Sequence, residues 1–277
     1  KVAEGLKVTV LDSVVPYATD EEIEKDKGGS DSMEAAEEAY NQAGVSRDAI
    51  YEIGQEIKDP MYNADDPEFS DYTEDLRFTV EDVQILDALS LDEYPAEYYV
   101  DYENEVAPWV NPDGTLVPHD RYRLDNGAID EESLERDVSS KYVVVKMKAK
   151  NYSDGQSQMN LEGGMFMVPE LTTLVPREDG SYSYAPDDFY PGNENYHLQW
   201  GGSNGSSAPV YFDKLYYTEG IERLKHCYFR PVAGGEELEY TLIYIVDEDQ
   251  TDNLFLWFFA GSGSDDGTIL QPYVKVD

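Results

Sequence analysis

Cysteine and positive charge are both scarce in this chain. One cysteine, Cys227, stands in 277 residues, so no intramolecular disulfide can staple the fold and stability has to come from burial. Lys and Arg number 20 against 59 Asp and Glu, a formal charge of −39 at pH 7. A field of that sign repels phosphate backbones, which excludes nucleic acid as a partner, and the chain lacks the basic patch that docks on anionic lipid. It favours solubility, cations and basic partners instead. The three histidines, His119, His197 and His226, show no metal-ligand spacing, so zinc is not expected. No apolar run approaches the ~20 residues that span a bilayer. A Gly-x-Ser-x-Gly elbow, a P-loop and a dinucleotide fingerprint after a strand are also missing. The glycine-rich run at 201–207 is followed by neither a lysine nor a helical pattern and reads as a flexible loop.

Hydrophobic residues make up 40% of the chain, enough for a real core at this length. The expectation is a single domain over 1–277 carrying an acidic, partly helical insertion at 13–75. Charge is distributed unevenly. Residues 1–140 hold 38 acidic against 10 basic side chains, and residues 141–277 hold 21 against 10. The second half carries most of the strand-like apolar runs. The sequence begins at Lys1 rather than Met, which reads as a chain whose leader has been removed. Whether a lipid-anchored cysteine stands upstream of Lys1 is left open by the sequence. Scarcity of cysteine fits a bacterial extracytoplasmic protein. Cys227 beside His226 reads as a small buried apolar residue, because neighbours in a strand point to opposite faces.

Alternation places the strands. Leu6–Leu11 sets Leu6, Val8 and Val10 against Lys7 and Thr9, and Leu76–Leu86 repeats the pattern. Between them two helices are expected. One runs from Met33 to Ala43, entered by Asp31 with Glu34 and stopped by Gly44. The other runs from Arg47 to Ile57, capped by Ser46, with Ile50, Ile53 and Ile57 as a thin apolar stripe. Residues 92–137 are acidic and tyrosine-rich, broken by Pro112-Asp113-Gly114 and Asn126-Gly127 as turn markers, with a short helix near Glu131–Arg136. Lys141–Asn151 alternates Val143, Val145, Met147 and Ala149 with Lys146, Lys148 and Lys150, a strand with one wet face. Met159–Val168, Val210–Tyr217, Leu238–Val246, Leu254–Phe259 and Pro272–Val276 complete the set. Short strands separated by turn signals argue for a sandwich rather than a parallel α/β sheet.

Three stretches carry a resemblance. They are the strand and polar turn Tyr142–Asp154, the Gly-Glu entry to a strand Ala233–Tyr244, and the terminal pair Leu254–Trp257 and Tyr273–Val276. Together they resemble the immunoglobulin-like, or telokin-like, surface lipoproteins of Gram-positive bacteria. The resemblance covers about 200 residues if Leu6 or Leu76 opens it. It implies an all-β, immunoglobulin-like antiparallel β-sandwich, exported and often lipid-anchored, and it supplies no catalytic residues. The acidic stretch 13–75, a small helical insertion near the N-terminus, departs from the family pattern.

Two groups of residues could hold a ligand. Asp247, Asp249 and Asp252 lie in an acidic loop between two strong strands, and calcium accepts such oxygen ligands, although the mid-loop Gly and distal Glu of an EF-hand are absent. An ordinary acidic hairpin turn explains the same residues. Aromatic residues are in excess, with 23 Tyr, and Tyr98, Tyr102, Tyr196, Trp109 and Trp200 lie in the two Tyr/Trp clusters. Such rings serve as protein-interface anchors or as platforms for sugar faces, or simply pack half-buried on a sheet. With 59 carboxylates, a glycosidase-like pair is uninformative. The leading expectation is a non-catalytic extracytoplasmic interaction module for a protein or peptide at the cell surface. The alternatives are a carbohydrate-binding module and, last, a hydrolase.

Overall fold

The computed structural model describes residues 44–59, 75–125, 128–153, 164–184, 189–191, 208–217, 225–226, 229–258 and 271–276. Contacts divide the chain after Gly44, and the fold below is that of Val45–Asp277. The first strands are β1 (Ile50–Tyr51), β2 (Glu56–Lys58), β3 (Leu76–Leu86), β4 (His119–Asp125), β5 (Ala128–Ile129) and β6 (Glu135–Val138). They are followed by β7 (Ser140–Asn151), β8 (Gly164–Met167), β9 (Glu170–Pro176), β10 (Tyr182–Tyr184), β11 (Phe189–Pro191) and β12 (Tyr211–Phe212). The last are β13 (Tyr216–Tyr217), β14 (Lys225–His226), β15 (Phe229–Val232), β16 (Glu237–Asp247), β17 (Leu254–Trp257) and β18 (Tyr273–Lys275).

Two five-stranded sheets face each other. One has the order β12-β16-β7-β3-β2 and the other β1-β18-β17-β9-β10. Pairing is antiparallel except where β1 lies parallel to β18. The long strands β3, β7 and β16 are registered over nearly their whole length. Their alternating side chains, Phe78, Val80, Val145, Met147, Leu242 and Tyr244, are buried against Leu171, Leu254, Leu256 and Val274 of the opposite sheet in one continuous core. This is the arrangement of a β-sandwich. Each fully buried aliphatic side chain contributes about 1.5–3 kcal/mol.

A bulge in β3 decides what lies outside that core. The register shifts between Val80 and Asp82 opposite β7, so one extra residue reverses the parity of inward and outward positions. Leu76, Phe78 and Val80 face the core before it, and Val83 does so after it. Leu86 is thereby sent to the outer face, where it meets a second buried cluster of Tyr94, Tyr99, Val106, Leu116, Tyr142, Val144, Tyr211, Ile243 and Ile245. The far face of the other sheet is covered in the same way. There Val45 and Ala49 pack with Leu174, Phe255, Trp257 and Tyr273.

The helix expected over Arg47–Ile57 is corrected. The segment is a 3-10 turn at Arg47–Ala49 capped by Ser46, followed by β1 and β2. Its isoleucines do not form a stripe: Ile57 is buried and Ile53 is exposed. Branched side chains favour extended backbone, and Gly54 at φ +87° makes the turn between the strands. The expected helix near Glu131–Arg136 is likewise one 3-10 turn at Glu131–Ser133 that gives way to β6. The Leu6–Leu11 strand and the Met33–Ala43 helix lie outside the described residues, as do Cys227 and the glycine-rich loop 201–207. The strand expectations at Leu76–Leu86, Lys141–Asn151 and Leu238–Val246 hold. The wet face of β7 is confined to Lys146–Lys150, because Tyr142 and Val144 are covered.

Candidate functional site

The outer face of the β12-β16-β7-β3-β2 sheet carries an irregular cap built from residues 86–117. Ladder-like bonds hold it at both ends. The Leu89 amide donates to the Gly114 carbonyl at 3.1 Å, and the Val100 amide donates to the Val210 carbonyl at 3.0 Å. Between these ties the chain makes a 3-10 turn at Ala96–Tyr98, a single π-type turn at Tyr102–Val106 and a 3-10 turn at Ala107–Trp109. Asp101 caps the middle turn, accepting from the Asn104 side chain at 2.9 Å. Asn111–Thr115 folds as a tight turn, with the Thr115 amide and hydroxyl both donating to Asp113 Oδ1 at 3.1 and 2.7 Å.

Tyrosine organises the cap. The Tyr211 ring is met edge-on by Tyr99 at 4.9 Å, Tyr94 at 5.8 Å and Tyr98 at 6.1 Å between centroids, and Tyr99 meets Tyr102 at 5.1 Å. Edge-to-face pairs of this kind add about 0.5–1.5 kcal/mol each beyond area burial. The Tyr142 hydroxyl donates to the Gly114 carbonyl at 3.2 Å. Burial first, with neighbouring phenols second, pushes the hydroxyls of Tyr99 and Tyr142 far above the usual range, and Tyr211 follows through burial and Asp213. All three stay neutral donors at physiological pH.

At the edge of the cap is a depression of about 310 Å³ lined by Gln84, Leu86, Ala88, Leu89, Ser90, Glu93, Tyr94 and Asp113. The β3 bulge delivers Gln84 and Leu86 to it. Gly114, at φ +85°, lets the Asn111–Thr115 turn close onto the Leu89 carbonyl, where a Cβ would collide. The Thr115 bonds hold the Asp113 carboxyl below the usual carboxylate range, so it is an anion across physiological pH.

A second cluster joins β4 to the end of β16. The Arg121 guanidinium is 4% exposed and binds three carboxylates. Nη1 donates to Asp247 Oδ2 at 2.7 Å, Nη2 to Asp249 Oδ2 at 2.6 Å and Nε to Glu135 Oε2 at 2.9 Å. Its Cζ lies 3.6 Å from the Phe189 ring centroid. His119 Nε2 is 3.4 Å from Asp247 Oδ1, and the Ser140 hydroxyl lies 3.2 Å from that same oxygen and 3.5 Å from His119 Nδ1. Ser, His and Asp therefore meet, but as a closed triangle: the hydroxyl reaches the carboxylate directly, and all three side chains are buried. A nucleophilic serine needs a histidine interposed and an open face toward substrate.

The structure sorts the residues singled out in the sequence. Tyr98, Tyr102 and Trp109 come together in the cap, half-buried against its cluster. Tyr196 and Trp200 lie outside the described residues. Asp247, Asp249 and Asp252 are not assembled as a cation cage. Asp247 turns inward and shares Arg121 with Asp249, and Asp252 is exposed in the following turn. Among the described residues no three His, Cys, Asp or Glu side chains form a metal-binding group, and no helix is long and apolar enough to cross a membrane. Arg121, Glu135 and Ser140 went unnoticed in the sequence, because their partners stand up to 128 residues away. Compared with known proteins, the chain matches no family model, no curated protein and no solved structure.

Proposed function

We propose that this chain is a non-catalytic extracytoplasmic module, secreted or lipid-anchored at a bacterial cell surface, that presents an immunoglobulin-like sandwich to a protein or peptide partner. The observation that carries the reading is the tyrosine cap. An irregular segment is held rigid on a sheet, and Tyr98, Tyr102 and Trp109 are left half-exposed among carboxylates. Rigid aromatic rings with polar tips are the typical anchors of protein interfaces, and a chain of net charge −39 selects a basic partner. The immunoglobulin-like assignment is supported by a chain that crosses repeatedly between two facing sheets, with β3, β7 and β16 adjacent in space though distant in sequence. Closure and burial of the Ser140–His119–Asp247 triangle support a module without catalysis. A glycan platform would need exposed coplanar rings, and the described ring pairs of the cap meet edge-on instead.

The test is a random peptide library selected on the whole purified chain, beside a glycan panel. Enriched peptides should be rich in Lys or Arg. Their affinity should fall about tenfold or more in the Tyr98→Ala/Trp109→Ala double variant, and should weaken with salt. An empty selection, or a glycan whose binding is lost in that variant, would overturn the proposal.

A further inference from the structure

The depression beside the cap has chemistry of its own. Its apolar lining is Leu86, Ala88 and Leu89, and its polar lining includes the acidic residues Glu93 and Asp113. Its volume of about 310 Å³ is at the bottom of the range for small-molecule sites, about 300–1,000 Å³. That suits one long side chain rather than a larger ligand. The walls are fixed independently of any occupant. Leu89 is tied to Gly114, Ala88 is bridged to Thr115, and both the Glu93 and Tyr94 amides donate to the Ser90 carbonyl, at 3.1 and 2.9 Å. Thr115 donates twice to Asp113 Oδ1.

We propose that this depression receives a lysine side chain of the partner protein. This rests on the peptide-binding reading above and gives it a specificity-determining site. A lysine matches both parts of the lining. Its four-carbon stem covers Leu86, Ala88 and Leu89, and its compact ammonium offers three rotatable donors to Glu93, Asp113 and the Gln84 and Ser90 side chains. Arginine is the poorer fit, because both carboxylates already accept a bond, Asp113 from Thr115 and Glu93 from the Tyr94 hydroxyl, and so offer its planar fork no free oxygen pair. Charge complementarity names the occupant: the rim is acidic in a chain with 59 acidic and 20 basic residues.

The site is tested without knowing the partner. Methyl-labelled whole protein is titrated with N-acetyl-lysine methylamide and, separately, with the norleucine and arginine counterparts. The lysine compound should shift the methyl resonances of Leu86, Ala88 and Leu89 with saturation in the millimolar range. Norleucine should bind at least tenfold more weakly and arginine several-fold more weakly. Glu93→Gln and Asp113→Asn should each reduce the lysine response several-fold, and the asparagine retains the Oδ1 acceptor that the turn uses. Thermal unfolding of each variant shows whether a lost response is lost folding; Glu93→Gln, which keeps a side-chain oxygen to accept from the Tyr94 hydroxyl, serves if Asp113→Asn unfolds. An equal response to norleucine, a stronger response to arginine, or no response of these methyls to lysine overturns the site. Peptide binding that depends on Tyr98 and Trp109 would then still stand. A lysine response with no such peptide binding would overturn the interaction module alone.

Discussion

Replacing Arg121 by methionine keeps most of the side chain's length and removes its charge, which isolates the ionic part of the β4–β16 junction. Three carboxylates lose their guanidinium, but they are not equivalent. Asp249 is 58% exposed and Glu135 29%, so water takes over much of what Arg121 supplied to them. Asp247 is 1% exposed and has no such recourse. A buried charge stripped of its partner costs about 3–5 kcal/mol, and losing the contact with the Phe189 ring adds about 1 kcal/mol. For a chain of this size the expected fall in Tm is about 10 °C or more. Denaturant unfolding measures the free energy directly. The control is the double variant Arg121→Met/Asp247→Asn. It removes both charges and leaves an amide oxygen for Ser140 and His119, and it should recover at least half of the loss. Arg121→Lys should fall between, since an ammonium cannot serve three carboxylates from one plane. A single-variant loss below about 1 kcal/mol, or a double variant no better than the sum of its parts, would refute the view that Asp247 is a buried anion held by Arg121.

Other perturbations follow from the same geometry. Burial holds the His119 imidazole below its usual range, against the opposing pull of Asp247. The folded state therefore keeps it neutral, while the unfolded chain takes up a proton near pH 6.5. Stability present above about 6.5 should be lost as pH falls toward the depressed folded value, and a His119→Gln variant should lack that slope. Below about pH 4 a separate loss is expected. Arg121 hydrogen bonds depress the Glu135 and Asp249 carboxyls, and what they contribute is present above the unfolded values and disappears as pH falls through the folded ones. Gly114→Ala should cost about 3 kcal/mol or more in denaturant unfolding, combining a left-handed backbone with collision against Leu89. Gly54→Ala, with a similar φ but open space around it, should cost only about 1–2 kcal/mol. Leu242→Ala in the sandwich core should lose about 2–5 kcal/mol, and Ile53→Ser at an exposed turn should stay within about 0.5 kcal/mol.

How much was legible depended on the distance over which each residue acts. Alternation is a local signal, and β3, β7 and β16 could be read from it within a residue or two at each end. The Arg47–Ile57 segment failed because a cap and an apolar spacing of three and four are also satisfied by a capped turn followed by two short strands. What separates the alternatives is whether Ile53 finds a buried surface, which is a tertiary fact. The bulge at Val80/Asp82 was equally hidden. In Val80-Glu81-Asp82-Val83 the doubled acidic pair looks like a wet stretch of strand, yet it is the step that turns Leu86 outward and so makes the floor of the cap. The aromatic cluster was visible as composition, and three of its named members, Tyr98, Tyr102 and Trp109, do come together. Tyr211, the ring that Tyr94, Tyr98 and Tyr99 meet edge-on, does not stand out in the sequence, because it lies more than a hundred residues beyond them.

The ion cluster shows why charge sign matters more than charge count in a chain of this composition. Among 59 carboxylates no single Asp or Glu is conspicuous, so Asp247 could not be told from Asp249 or Asp252, and all three read as possible cation ligands. The 20 basic residues are the scarce ones. Among the described residues several pair at the surface, as Lys148 does with Glu81 at 3.2 Å and Lys150 with Glu237 at 3.2 Å. Such pairs contribute at most about 1 kcal/mol. A basic residue carried into the interior has to bring anions with it, because an uncompensated charge there is too costly to bury. His119-Asp120-Arg121-Tyr122-Arg123 is the one short run in the described sequence that sets two arginines among aromatic and histidine neighbours. Within it, Arg123 stays exposed on Glu135, while Arg121 goes inside and draws in Asp247. The arginine is thus the residue from which the oxygen-rich loop is to be understood: Asp247 and Asp249 are drawn together as counter-ions of Arg121.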